Sequence, residues 1–429
     1  MDRDICIIGQ GLTGLTAAHR LAKAGKSVTI VDLSDQSGGL AADIPCGGTT
    51  VERMYHHCFA SDEHVLQLAA ELGLAAQLKW YRPSNGLLSG GKLYPFTTPA
   101  DLLTFSPLPV WDRVRTGMTV LAAKRRREWR TLENTTAKSF LIAHAGRTAY
   151  EKLWKPLLVS KFGDDADQVS AVWIWNKFKL RGGSREGLKE EVLGYLDGGF
   201  GRLGRTLAER LPADVLLRNN ETALNIRRIN NGYAVETDSG IITASAVIAA
   251  VSAPVFNQLT DALDLGDYRS RLNAVRYKAN LCLLLSFDAP VTPFYWTTVC
   301  DRLPFVAAVE QTRLVPAETY GRHLLYLSRY LDESEPLWSE TDDRLASVMK
   351  EALFAVFPEA KAHCRGVEAL TRSRYAQPVI PLQYSRRMPE ISTPLPGLFL
   401  AGMSQIYPED RGLNYAIRLG NETAGLILA

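Results

Sequence analysis

Two histidines stand side by side in the run MYHHCFASD (54–62), in a chain of 429 residues that holds only seven. Three kinds of chemistry suit such a pair: metal binding, acid–base work, or the wall of a pocket. Adjacent side chains on an extended segment point to opposite faces, so His56 and His57 are poorly placed to chelate one ion together. No cluster of other ligands accompanies them, and no metal is expected. A pocket wall fits best, with one ring turned inward.

The pocket is suggested by the first forty residues. Ile5–Ile8 is a short apolar run of the kind that forms a buried parallel strand. It leads into Gly9-x-Gly11-x-x-Gly14 and then into the Ala/Leu-rich stretch beginning Leu12-Thr13, which predicts a helix to about Lys23. A second buried strand, SVTIVD, ends at Asp32. The glycines have separable roles, with Gly9 permitting the tight turn, Gly11 the close approach of a pyrophosphate, and Gly14 helix–strand packing. The helix N-terminus offers unpaired N–H groups to phosphate, and Asp32 can accept a ribose hydroxyl. Strand, helix, second strand and acid in register predict a dinucleotide site.

Gly38-Gly39-Leu40 follows soon after, where backbone could again approach a pyrophosphate. A second glycine-rich match, GFGRLG at 199–204, lacks a buried strand before it and reads as a loop leading into a helix. From 215 the pattern becomes β, with Asn231-Gly232 marking a hairpin between alternating runs. The chain closes on the strand Leu398–Ala401, ended by Gly402. A polar loop follows, and then a small-residue helix opens near Gly412-Leu413-Asn414.

Together these stretches resemble the FAD enzymes of the glutathione-reductase-like class, in particular the amine-oxidase and protoporphyrinogen-oxidase branch. GGKLYPF (90–96), YEKLWKPLLVSKFG (150–163), VWIWNKFKLR (172–181) and the histidine loop resemble segments of UDP-galactopyranose mutases. The resemblance implies an α/β fold: a Rossmann-like FAD-binding domain with an inserted α+β substrate lobe. The FAD domain would comprise 1–75, 195–260 and 390–429, and the lobe 76–194 and 261–389. It implies FAD as cofactor, with Thr222 near the adenine, Gly402 near the ribityl phosphate, and Gly412, Leu413 and Asn414 giving backbone donors to the isoalloxazine. His57 would act in catalysis, hydrogen-bonding near flavin N5 or O4 to tune its potential and pass a proton, with His56 beside it. Tyr94, Arg181, Arg374 and Tyr384 would line the substrate cavity, and Arg181 would bind an anionic group bidentately. Three features depart from these families: Gly402-Met403 stands where Gly-Asp is usual, Ala60 where the mutase loop has its second histidine, and the C-terminal half lacks a counterpart of the mutase's arginine- and tyrosine-bearing diphosphate segment.

Composition narrows the classes. Hydrophobic residues make up 46% and charged residues 22%, enough for a large core. The net charge of +3 does not suggest a nucleic-acid partner. One basic run, Lys124 to Arg127, reads as the exposed end of a helix. Six cysteines are scattered without a C-x-x-C pair, which argues against zinc ribbons and iron–sulfur clusters. No apolar run approaches the roughly 20 residues of a membrane span. The immediate N-terminal strand leaves no room for a signal peptide, so a cytoplasmic location is expected. Three readings follow: an FAD-dependent oxidoreductase passing a hydride from a small molecule, anionic or a nucleotide sugar, to flavin N5, a flavin-dependent mutase of nucleotide sugars without net redox, and a flavin-binding protein without catalysis.

Overall fold

A computed structural model describes residues 3–183 and 191–429, the side chains of 180–183 aside. The central strand Arg3–Ile8 lies between Val28–Val31 and Gly240–Ala249, parallel to both. Leu216–Arg218 extends the parallel sheet beyond Val28–Val31. The long strand Gly240–Ala249 serves two partners. Residues 244–249 pair with the Rossmann strands and with Leu398–Leu400, and residues 240–244 pair antiparallel with Gly232–Thr237. The expected hairpin at Asn231-Gly232 therefore continues the nucleotide sheet through one shared strand.

Helix Leu12–Lys23 begins directly at the fingerprint, and the last helix, Leu413–Leu428, packs along it. The contact needs small residues. A β-carbon at Gly420 would fall 2.5 Å from the Thr13 carbonyl oxygen. Thr13 Oγ1 donates to Ala416 O at 3.1 Å, and Arg20 Nε to Asn421 Oδ1 at 2.8 Å. Two helix N-termini are thereby brought to one side of the sheet.

The two insertions share a second seven-stranded sheet. Its order is Cys364–Pro378, Tyr277–Phe287, His323–Leu331, Ala307–Glu310, Trp296–Val299, Asn85–Ser89, Lys92–Pro95. Strand periodicity divides it into two faces. Cys282, Leu284, Tyr295 and Tyr326 pack toward the nucleotide-binding unit. Leu281, Leu283 and Leu285 pack with Leu345, Met349 and Leu353 of helix Asp342–Val356. Residues 99–183 form helices around a separate aromatic-rich core that includes Phe162, Trp173 and Trp175.

A buried carboxylate joins the two units. Glu52 accepts from Tyr195 OH at 2.6 Å and from the Phe200 N–H at 2.7 Å. Tyr326 of the lobe sheet donates to the Glu52 carbonyl oxygen at 2.6 Å. The glycine-rich stretch at 199–204 acts here as a packing element. A β-carbon at Gly204 would lie 2.7 Å from Gly38 Cα, so helix Gly201–Glu209 rests on the Gly38-Gly39 turn.

Candidate functional site

The nucleotide end is built from backbone. Gly9 has φ +107°, and a β-carbon on it would meet Ala250 O at 2.7 Å. A β-carbon on Gly14 would lie 2.0 Å from Gly9 O, so the fingerprint tolerates no side chain at either position. The two glycine turns touch: Gly38 N–H donates to Gln10 O at 3.0 Å, and a β-carbon at Gly39 would stand 3.0 Å from Gly11 Cα. Gly11 caps helix Leu12–Lys23 without any side-chain hydrogen bond, leaving the first-turn N–H groups, those of Leu12, Thr13 and Gly14 among them, for an anion.

Asp32 is oriented by two bonds. Its Oδ2 accepts from Gln10 N–H and its Oδ1 from Ser34 N–H, both at 2.7 Å. A carboxylate has about four lone-pair sites, so each oxygen keeps acceptor capacity for a ribose hydroxyl. Glu221 N–H donates to Asp32 O at 3.0 Å, which places the exposed Thr222 beside this end of the cradle. Leu40 follows the second glycine turn and is half-buried.

At the opposite end, Gly402 N–H donates to Gln405 Oε1 at 2.6 Å, and a β-carbon on Gly402 would meet Val251 O at 2.3 Å. Gly412 is the N-cap of helix Leu413–Leu428, which has no side-chain cap, so the N–H groups of Leu413 and Asn414 lack intrahelical partners. The Asn414 side chain serves a different helix. Its Oδ1 accepts from His64 and Val65 N–H at 2.8 and 3.3 Å, capping helix Glu63–Glu71.

A cluster of charges lies just before Leu413–Leu428. Asp410 is buried, and its Oδ2 lies 3.1 Å from Lys161 Nζ and 2.6 Å from Lys177 Nζ. Burial would raise this carboxyl, but Lys161, Lys177 and Arg411 together hold it well below the usual range. Burial in turn lowers Lys161 against the pull of Asp410. Arg411 bonds neutral groups: Nε donates to Gln377 Oε1 at 3.1 Å and Nη2 to Tyr330 OH. Among the described residues it forms no ion pair with a carboxylate. Both lysine ammonium groups lie over the Trp173 ring, at 5.1 and 5.4 Å. Next in register to Gln377 is Lys278, buried and bonded to Asp332 and Asp165.

The two histidines divide as an extended loop requires. His57 Nδ1 lies 3.0 Å from Tyr295 OH, and its ring packs edge-on against Phe59, Tyr295 and Trp296. His56 is the one beside Arg411. Burial, reinforced by the Arg411 charge, lowers it to about 4, so it is neutral at pH 7. Among the described residues its buried Nδ1 has no hydrogen-bond partner.

The other expected lining residues are dispersed. Arg374 pairs with Glu333 at 3.1 Å, and its side chain is 58% exposed. Tyr384 is buried and donates to Ser404 O at 2.7 Å, tying the lobe to the C-terminal loop. Tyr94 packs edge-on against Phe105. Neither Arg374 nor Tyr384 contacts the charge cluster, because the first faces solvent and the second spends its hydroxyl on backbone. Arg181 belongs to helix Ala171–Gly183, and its side chain lies outside the described residues. Sequence reasoning missed Lys161, Lys177, Asp410 and Arg411. The available signal was lysine within otherwise apolar helical runs and an acid–base pair directly before Gly412.

Glycine turns that exclude side chains, a half-occupied carboxylate and a second uncapped helix form a cradle that fits a flavin dinucleotide, the class to which fold and site point. The chain belongs to the flavin-containing amine oxidoreductase family, whose profile matches residues 12–428. FAD is the cofactor that follows from this membership. Among curated relatives, a Mycobacterium tuberculosis protein assigned as a flavin-containing monoamine oxidase, AofH, is 24% identical over 58% of this chain and 56% of its own length. A coproporphyrinogen III oxidase of Mycobacterium leprae is 25% identical over 59% of this chain and 60% of its own length. The chain thus spans little more than half the length of these curated relatives. A crystal structure of reduced UDP-galactopyranose mutase superposes with a TM-score of 0.77 at 15% identity, over 99% of this chain and 95% of that one, a likeness of fold.

Proposed function

We propose that the protein is an FAD-dependent oxidase of a small molecule that carries an anionic group. Bound flavin supplies the electron chemistry by accepting a hydride equivalent at N5. The side chains do the rest. Lys161 and Arg411 hold the anionic group, with Asp410 orienting Lys161 and with Gln377 and Tyr330 orienting Arg411. Neutral His56 accepts a hydrogen bond beside them. Trp173 and Tyr330 form apolar walls that keep water from the reacting carbon.

The observation that carries this reading is the charge balance before helix Leu413–Leu428. Asp410 is shared between Lys161 and Lys177, and Arg411 bonds neutral partners. A plain alkylammonium substrate would meet net positive charge there, whereas a carboxylate would complete the set. Family membership supports the oxidative half of the reading.

The test is anaerobic mixing of the flavin-loaded protein with a primary amine and with its carboxylated counterpart. Bleaching of the flavin bands by the carboxylated compound, with little from the plain amine, is the expected result. Faster bleaching by the plain amine would overturn the anion preference. Turnover of a nucleotide sugar only after dithionite reduction would overturn the oxidase reading.

A further inference from the structure

Helix Val110–Arg125 is built the wrong way round for a helix of a globular protein. The face it turns inward buries Thr116, Thr119 and Ala123, with Val120 the aliphatic side chain packed against the aromatic-rich core. Among the described residues buried Thr116 Oγ1 has no hydrogen-bond partner, and Thr119 Oγ1 turns back to Arg115 O at 2.8 Å. The outer face carries Trp111, Met118 and Leu121, which are 78%, 57% and 52% exposed. Spacings of three and seven residues put these side chains on one stripe. Val110 and Leu103, the latter from the adjoining helix Pro99–Thr104, are also exposed and widen the apolar patch. An amphipathic helix normally buries its apolar face.

Charge surrounds this patch. Residues 110–130 contain seven basic side chains (Arg113, Arg115, Lys124, Arg125, Arg126, Arg127, Arg130) against Asp112 and Glu128, a local excess of five. The whole chain carries +3, so the remainder is net negative. Arg113 and Arg115 brace the helix by donating to the carbonyls of Leu103, Leu108 and Ala143. Arg125 and Arg127 lie exposed at the far end of the apolar stripe. A tryptophan among aliphatic side chains, bordered by arginines, matches the chemistry of a lipid headgroup boundary.

We infer that this helix docks the protein onto an anionic bilayer, lying in the interface with Trp111, Met118 and Leu121 inserted and the arginines on lipid phosphates. A second copy of the chain is a poor occupant, because twofold pairing would oppose two patches of the same charge. The docked helix bears directly on the lobe. Trp175 Nε1 donates to Arg126 O at 3.3 Å, from the helix that also carries Lys177.

The test is co-sedimentation of the flavin-loaded protein with vesicles of phosphatidylcholine alone or mixed with phosphatidylglycerol. The protein should sediment with the anionic vesicles and stay in solution with the neutral ones. The variant Trp111→Ser/Met118→Ser/Leu121→Ser and the variant Arg125→Gln/Arg127→Gln should each weaken partitioning by roughly tenfold or more. Both should keep flavin content and thermal midpoint, since every substituted side chain is exposed. Wild type remaining in solution with both vesicle types would overturn the inference. So would equal sedimentation of the triple variant, or a dimer in solution that the triple variant abolishes.

Discussion

Gly420 and Thr13 lie against each other although they come from opposite ends of the chain. A β-carbon on Gly420 would fall 2.5 Å from Thr13 O and 2.8 Å from Thr16 Cβ. This contact sets how closely the first and last helices approach, and so holds their two N-termini side by side.

Gly420→Val should therefore cost roughly 1–3 kcal/mol through overpacking and should lower flavin retention. Gly425→Ala, on the same helix with open space around it, should be neutral or slightly stabilising. Thermal unfolding and flavin absorbance per protein would check both. Equal midpoints for the two variants would contradict the packing argument.

Asp32→Ala removes an acceptor already oriented by Gln10 and Ser34. Losing one charge-assisted bond to ribose costs about 1.5–3 kcal/mol, or roughly 10–150-fold in affinity. Titrating apoprotein with FAD and following flavin fluorescence measures this. An unchanged dissociation constant would mean that Asp32 does not hold the cofactor.

Arg411→Gln should raise KM for a carboxylated substrate by roughly 10–100-fold and change kcat much less, because the lost contact binds ground and transition states alike. The same variant should leave the KM of an uncharged substrate nearly unaltered. A fall confined to kcat would place Arg411 in the chemistry and not in binding.

Glu52 gives a pH signature. Burial raises its carboxyl from 4.5 to about 7, despite bonds from Phe200 N–H and Tyr195 OH that favour the charged form. The folded protein thus keeps a proton that the unfolded chain releases between about pH 4.5 and 7. This contribution is full below that window and is lost as pH rises through it. Glu52→Gln should therefore gain stability relative to wild type on going from about pH 5 to about pH 8. Denaturant midpoints at both pH values would show it, and parallel wild-type and variant profiles would contradict it.

The glycine turns, the acid and the uncapped helices of the candidate cradle are largely legible without any tertiary contact. Its requirements are local: a glycine at each close approach, an acid at the end of the second strand, a small-residue helix at the C-terminus. The substrate side is not. His57 stands out beside His56, yet Tyr295 and Trp296, from the other insertion, decide that His57 is caged and His56 faces Arg411. Arg374 and Gln377 share one strand three positions apart, so alternation turns them to opposite faces, and only the fold decides that the Gln377 face meets the charge cluster.

By itself the sequence determined the nucleotide fingerprint, its acid and the hairpin at Asn231-Gly232, because backbone conformation and strand periodicity depend on neighbours within a few positions. Only the tertiary structure decided that Lys161, Lys177, Tyr330, Gln377, Asp410 and Arg411 form one cluster. Ion pairs and buried hydrogen bonds are made across space, between segments whose spacing along the chain carries no period. The same holds for helix Val110–Arg125, whose composition suggests nothing unusual until the fold shows which face looks outward.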